Sequence, residues 1–223
     1  MNCGTLTNYS AGGLSSIACR VTVTGSASKF ALGCAHALSN FGKKALGTTI
    51  YAPPTSFQNF EKIGTLYKRS TFKIHAKPPN YNTTDCALIQ LTGPGTVSPS
   101  IANIGHLKTP SYTNLLPGMT VIAAGGASNV KVTGTVESIG AVVAVADFNP
   151  GGNTYDYYPV IMVRRTLPAN KPEFSKDGDS GMVLLHSSTL RPVGMVFAAA
   201  GIYGYAIPIA AIISGFNIAS FFP

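Results

Sequence analysis

An all-β fold built from barrels is predicted for this chain, and three observations predict it. Glycine and proline are abundant, at 24 and 15 of 223 residues, so turns are frequent. Only 11% of residues are charged while 45% are hydrophobic, which favours a buried core over a solvated, disordered chain. Short apolar and β-branched runs recur between clusters of turn-forming residues, the pattern of strands joined by tight turns.

The elements follow in order. Val21-Thr22-Val23-Thr24 alternates and reads as a strand, Gly25-Ser26 turns, and Lys29-Phe30-Ala31-Leu32 returns to deliver His36 at its end. Thr48-Thr49-Ile50-Tyr51 and Lys62-Ile63-Gly64-Thr65-Leu66 are further strands. Lys77-Pro78-Pro79-Asn80-Tyr81-Asn82 is a loop by its turn residues and hands over to the strand opened by Asp85. Residues Thr92 to Pro117 are rich in Pro, Gly and Ser. They separate an N-terminal half (1–100) from a C-terminal half (119–223), with the linker placed at 101–118. The second half is predicted from Val121-Ile122-Ala123-Ala124, Gly134-Thr135-Val136, Ala141-Val142-Val143-Ala144-Val145 and Val160-Ile161-Met162-Val163, with a turn at 149–153. Helix is expected at 207–214 and within 35–41. No internal repeat or heptad pattern is present.

The net charge of +8 reflects scarce acids rather than a basic run, so nucleic-acid binding is not expected. Pro192 to Pro223 carries no charge and is long enough to span a bilayer. Its Gly and Pro content makes it strand, turn, strand and short helix instead, and no membrane contact is expected. Cysteines stand at 3, 19, 34 and 86 without a C-x-x-C pair, so zinc is not expected. They read as small buried hydrophobes in a reduced compartment, with a Cys19–Cys34 bridge as the alternative. Met1-Asn2-Cys3-Gly4 lacks the basic and apolar regions of a signal peptide, so a cytoplasmic location is expected. The sequons at Asn8 and Asn82 are then chance matches.

The densest chemistry lies in Lys176-Asp177-Gly178-Asp179-Ser180-Gly181, before the apolar Met182-Val183-Leu184-Leu185. A tight Gly-flanked loop can turn several N–H groups toward one point, which suits an oxyanion beside a hydroxyl nucleophile. Ser180 then needs a base and an orienting carboxylate. His36 follows Gly33-Cys34-Ala35, and Asp85 opens Asp85-Cys86-Ala87-Leu88-Ile89-Gln90-Leu91. Asp85 lies 49 residues after His36, and Ser180 lies 95 after Asp85. His75, His106 and His186 read as surface residues, and Asp147, Asp156 and Asp177 sit in loops without an apolar strand behind them.

The order His, Asp, Ser, with "AH", "D-x-A-L-x-x-L" and "GDSG" contexts, resembles the chymotrypsin-fold (trypsin-like) serine proteases. Pro192 to Phe197 and Gly204-Tyr205-Ala206-Ile207-Pro208-Ile209 look like the late strand pair and "A-I-P" segment of bacterial members. Leu116 to Val136 is similar to the opening of their second barrel. The layout resembles a minimal, non-secreted bacterial subgroup related to the plant narrow-leaf type. The resemblance implies two packed six-stranded antiparallel β-barrels with a short C-terminal helix. It also implies a serine endopeptidase with a protein or peptide substrate and no cofactor. Ser180 would be the nucleophile, His36 the base and Asp85 its orienter, with the N–H groups of Gly178 and Ser180 as the oxyanion hole. Phe174 stands where relatives that cut after Lys or Arg hold Asp. Phe174, Phe197, Ala198, Ala199 and Tyr203 would line the substrate pocket, favouring apolar or small side chains. A one-residue slip would bring Glu173 there, so basic specificity stays open. Secreted relatives carry a Cys directly after the His, where Ala37 stands here. No zymogen cleavage site precedes His36, so Asp179 would bond internal donors and its loop would be mobile until a substrate or partner binds. A viral-type polyprotein or capsid protease acting mainly on itself, and an inactive protease-fold binding module, are the alternatives. The oligomeric state is not legible in the sequence.

Overall fold

The computed structural model describes residues 2–3, 6–9, 14–52, 61–92, 97–101, 104–109, 115–127, 130–147, 151–166 and 173–221, with residues 2–9 and Pro99 as backbone only. The first half contains β1 (Asn2–Cys3), β2 (Leu6–Tyr9), β3 (Leu14–Ser16), β4 (Cys19–Val23), β5 (Phe30–Gly33), α1 (Ala35–Ser39), β6 (Thr49–Ala52), β7 (Glu61–Arg69), β8 (Ala87–Leu91), β9 (Ser98–Ile101) and β10 (Gly105–His106). The second contains β11 (Thr120–Ala124), β12 (Lys131–Ala146), β13 (Thr154–Arg165), β14 (Val183–His186), β15 (Pro192–Ala200), β16 (Tyr203–Pro208), α2 (Ile209–Phe216) and β17 (Ile218–Phe221).

Strands β11 to β16 close a six-stranded antiparallel barrel in the order β11-β12-β13-β16-β15-β14. Its interior is filled by Val121, Ala123, Val132, Val136, Ile161, Val163, Phe174, Met182, Leu184 and Val196. Along β12 these positions alternate with half-buried ones, and along β11, β14 and β15 with residues such as Ile122, Val183, Leu185 and Met195 that are buried in the other core cluster, so the wall of the barrel is covered on both faces there. The first half forms an antiparallel sheet ordered β17-β4-β5-β8-β7-β6-β2-β3. β3 and β4 are the two limbs of one strand bent at Ile17–Ala18, so six strands form this layer and β17 is added from the far end of the chain. The predicted double six-stranded architecture is therefore present.

The details differ from the sequence expectation where tertiary context overrides local signals. The two strands expected at 134–136 and 141–145 are one 16-residue strand, β12. Three register shifts against β13, between Val136 and Val143, absorb the Gly140 interruption and let the strand bend. Residues 101–118 include β10, which pairs with β9, so part of the expected linker is a small sheet. The expected turn at 149–153 falls partly outside the described residues. The helix expected at 207–214 is α2, and it is followed by β17, which pairs with β4. The hydroxyls of Thr22 and Ser220 lie 2.7 Å apart across that pairing.

The halves are further joined by a clasp along β13. The Asn82 amide N–H donates to Asp156 O at 2.7 Å and the Tyr158 N–H donates to Asn82 O at 3.0 Å. The His75 N–H bonds Thr154 O at 2.7 Å, and the His75 ring bonds the Asp156 carboxylate. Lys43 pairs with the nearly buried Asp147 at 2.6 Å. Large side chains between the halves, Tyr157 and Phe197 among them, are fully buried, each such burial stabilising by about 1.5–3 kcal/mol.

Candidate active site

β5 and β8 are neighbours in register, with Gly33 opposite Ala87. The residues that follow β5 and precede β8 therefore meet at one end of the sheet. The Ala35 N–H donates to the Asp85 carbonyl at 3.3 Å, and the chain turns into α1, whose second residue is His36. Asp85 is fully buried, and its Oδ1 accepts the His36 backbone N–H at 2.8 Å. Its Oδ2 lies 2.6 Å from His36 Nδ1. A buried carboxylate is tolerable only when its lone pairs are met by donors, so the geometry places a proton on Nδ1, facing Asp85. The Tyr157 hydroxyl, at 3.5 Å from Oδ2, completes the surround. Burial, then the charge of Asp85, pushes the Tyr157 phenol far up, so it stays a neutral donor.

Ser180 comes to this pair from the second barrel. The Val196 carbonyl accepts the Gly181 N–H at 2.8 Å and the Cys34 thiol at 3.3 Å. One oxygen thus joins the residue after Ser180 to a residue two before His36. Ser180 Oγ donates to the next carbonyl along the chain, that of Phe197, at 3.4 Å. The Phe197 ring rests on Tyr157, with centroids 4.7 Å apart. The three predicted triad residues are therefore gathered at one seam, on α1, the start of β8 and the loop before β14.

The loop around Ser180 is held peptide by peptide. The Asp179 N–H bonds Lys176 O at 2.9 Å and the Met182 N–H bonds Asp179 O at 2.9 Å. Gly178 and Gly181 have φ of 92° and 101°, a region that favours glycine. Among the described residues, the N–H groups of Gly178 and Ser180 have no protein acceptor, as oxyanion donors require. The fully buried Asp179 carboxylate accepts the N–H of Ala127 at 3.1 Å and of Lys176 at 3.0 Å.

The expected pocket residues are spread over two environments. Phe174 is 1% exposed and belongs to the second-barrel core, its ring so close to Gly204 that a Cβ there would meet it at 2.3 Å. Phe197 is equally buried, Ala198 and Tyr203 are half-buried, and Ala199 is exposed. A pocket of about 460 Å³ beside the loop is lined by Glu173, Ser175, Lys176, Asp177, Ala199 and Gly201. Its lining is mostly polar, and Glu173 is part of it while Phe174 is not.

Sequence reasoning did not single out three features. Tyr157 as a partner of Asp85 had no local signal. Phe41, with φ of 50° after the left-handed Asn40, stacks on Tyr155 at 4.8 Å and stands 5.6 Å from the His36 ring. Ser15 and Ser16, buried in β3, bond the Ser180 loop. Of the rival histidines, His75 serves the clasp, while His106 and His186 bond the hydroxyls of Ser100 and Ser188.

Cys19, Cys34 and Cys86 are buried, and the alternative Cys19–Cys34 bridge is not formed. Burial, then the Asp85 charge, raises the Cys34 and Cys86 thiols well above their ordinary range. Cys34, His36 and Asp85 offer three ligand atoms within 4.8 Å. A metal there would need the thiol ionised and the carboxylate freed from two N–H donors, so the cluster is better suited to proton transfer. No helix among the described residues is long and apolar enough to cross a membrane.

No family model matches the chain, and no curated protein is similar to it in sequence. Solved structures are similar in fold. Thermobifida fusca protease A superposes with a TM-score of 0.68 at 16% identity, covering 100% of both chains. A glutamic acid-specific serine protease that uses a histidine triad in substrate binding gives 0.67 at 17% identity, over 99% of this chain and 100% of the other. The chymotrypsin of Cellulomonas bogoriensis gives 0.66 at 15% identity over 100% of both chains. The fold is the chymotrypsin-like double β-barrel.

Proposed function

We propose that this chain is a serine endopeptidase that hydrolyses peptide bonds through an acyl-enzyme. The observation that carries the reading is the buried His36–Asp85 pair meeting the Gly-flanked Ser180 at the seam of the two barrels. Asp85 holds the Nδ1–H tautomer, so Nε2 takes the Ser180 proton as Oγ attacks the carbonyl carbon. The oxyanion forms against the N–H groups of Gly178 and Ser180. His36 then protonates the leaving amine, and water reverses the sequence to release the acid. The imidazolium formed at each step is stabilised by the Asp85 charge in a dry setting.

The side chain before the scissile bond would sit beside Ala199 and Gly201. Phe174, standing where an Asp would read a basic side chain, supports preference for small or apolar residues, whereas Glu173 in the pocket lining favours a basic one. The "A-I-P" segment now seen as the junction of β16 and α2 supports kinship with the minimal, non-secreted bacterial subgroup, and the three buried thiols suit a reducing, cytoplasmic setting. A fluorophosphonate probe tests the core of the reading. Wild-type protein should be labelled at Ser180, and Ser180→Ala should lose labelling and cleavage by several orders of magnitude. Unchanged hydrolysis in Ser180→Ala would remove Ser180 from the chemistry.

A further inference from the structure

Strand β3 makes contacts that a merely structural edge strand would not need. Its residues Ser15 and Ser16 are wholly buried. The Ser16 N–H donates to the Ser180 carbonyl at 2.7 Å, and the Ser15 hydroxyl donates to the same oxygen at 3.0 Å. The Ser16 hydroxyl donates to the Gly178 carbonyl at 2.8 Å and accepts the Gly126 N–H at 2.8 Å. Gly181 lies so close that a Cβ would stand 2.0 Å from the Ser16 carbonyl. The turn that carries Gly126 also sends the Ala127 N–H to Asp179. One serine hydroxyl therefore ties together the first barrel, the 125–127 turn of the second and the loop carrying the nucleophile.

These bonds fall on the carbonyls of Gly178 and Ser180. Among the described residues, the N–H groups of these same two residues have no protein acceptor. A held carbonyl fixes its whole peptide plane, so the Gly178–Asp179 and Ser180–Gly181 planes are pinned on either side of the Asp179–Ser180 plane that carries the Ser180 N–H, and the first also adjoins the plane that carries the Gly178 N–H. A loop free to flip would turn those donors away from the reacting carbonyl and remove most of their electrostatic benefit.

We propose that Ser16 is a positioning residue: its hydroxyl, through the Gly178 peptide, holds the Ser180 loop with both oxyanion donors aimed at the substrate. The inference rests on the serine endopeptidase reading and goes further, because it makes ordering of the site intrinsic to the fold. No newly freed N-terminus and no partner is required to align the donors, in contrast with the mobile loop expected from sequence.

The test compares wild type, Ser16→Ala and Ser16→Thr with a neutral peptide ester and with a peptide boronate that imitates the tetrahedral adduct. Ser16→Ala should lower kcat about 10- to 100-fold with KM nearly unchanged. Boronate affinity should fall in parallel, and the pH profile should keep its midpoint because the His36–Asp85 pair is untouched. Ser16→Thr, which restores the hydroxyl, should recover most of kcat. Equal kcat in wild type and Ser16→Ala overturns the proposal, as does a loss carried by KM alone. If Ser16→Ala does not fold, Ser16→Cys replaces it, keeping the volume with a weak donor, and wild-type kcat in that variant is equally fatal. A wild-type protein inert to the fluorophosphonate probe would instead overturn the endopeptidase reading, and this inference with it.

Discussion

Asp85 is the residue on which the proposed chemistry turns, because it accepts from both the backbone and the ring of His36. Asp85→Asn would present an N–H to Nδ1 and favour the opposite tautomer. We expect kcat to fall about 10⁴-fold while the far-ultraviolet circular dichroism is unchanged; a loss below tenfold would argue against the triad. Tyr157 differs, since its hydroxyl is at the outer limit of bonding distance from Asp85. Tyr157→Phe should change stability by less than about 1 kcal/mol, and kcat should stay within a factor of about three, well under 1.4 kcal/mol. The thiols give a pH prediction. Cys34 and Cys86 hold their protons more tightly folded than unfolded. Their contribution is complete below the unfolded thiol value of about 8.5 and is lost as pH rises above it. The urea midpoint should fall above that pH, and Cys34→Ala with Cys86→Ala should flatten the fall. A midpoint that rises with pH there would refute the assignment.

Among the elements, the bend of β3 into β4 and the loop before β14 depend on each other through Gly181. A side chain there meets both a positive φ and the Ser16 carbonyl. Gly181→Ala should cost at least about 2 kcal/mol by urea unfolding; a neutral change would show that β3 is not held against the loop. This coupling illustrates what was legible in the sequence. The GDSG stretch, the helix near 207–214 and most strands of both barrels announce themselves by local patterns. So do His36 and Asp85, because each sits at the end of an apolar run. Ser15 and Ser16 do not, since nothing in Leu14-Ser15-Ser16 separates a strand edge from a loop, and their partners in the Ser180 loop and at Gly126 lie 110 to 165 residues away. Phe174 shows the same. Its ring packs against Gly204 in the second-barrel core, a contact between residues 30 apart that no local pattern announces.

The whole molecule is held as one unit by β17 on β4, by the β13 clasp and by the Lys43–Asp147 pair. Thermal unfolding should therefore be a single transition, and a chain ending at residue 216 should melt well below the full chain. Two separated transitions in calorimetry of the intact chain would contradict this. The pairing of β17 with β4 also orders events in time. Thr22 and Ser220, which meet across it, are 198 residues apart. A ribosome that has made only the first half of this chain exposes the outer edge of β4 without its neighbour. His36 and Asp85 are by then already made, but Ser180 is not. At the speed of translation, about 5–20 residues per second, His36 and Asp85 precede Ser180 by several seconds or more. The first barrel gains its final strand only after Ser180 has emerged. The pairing of β17 with β4 thus follows the arrival of all three residues of the proposed triad, and this sheet is filled only after they are made.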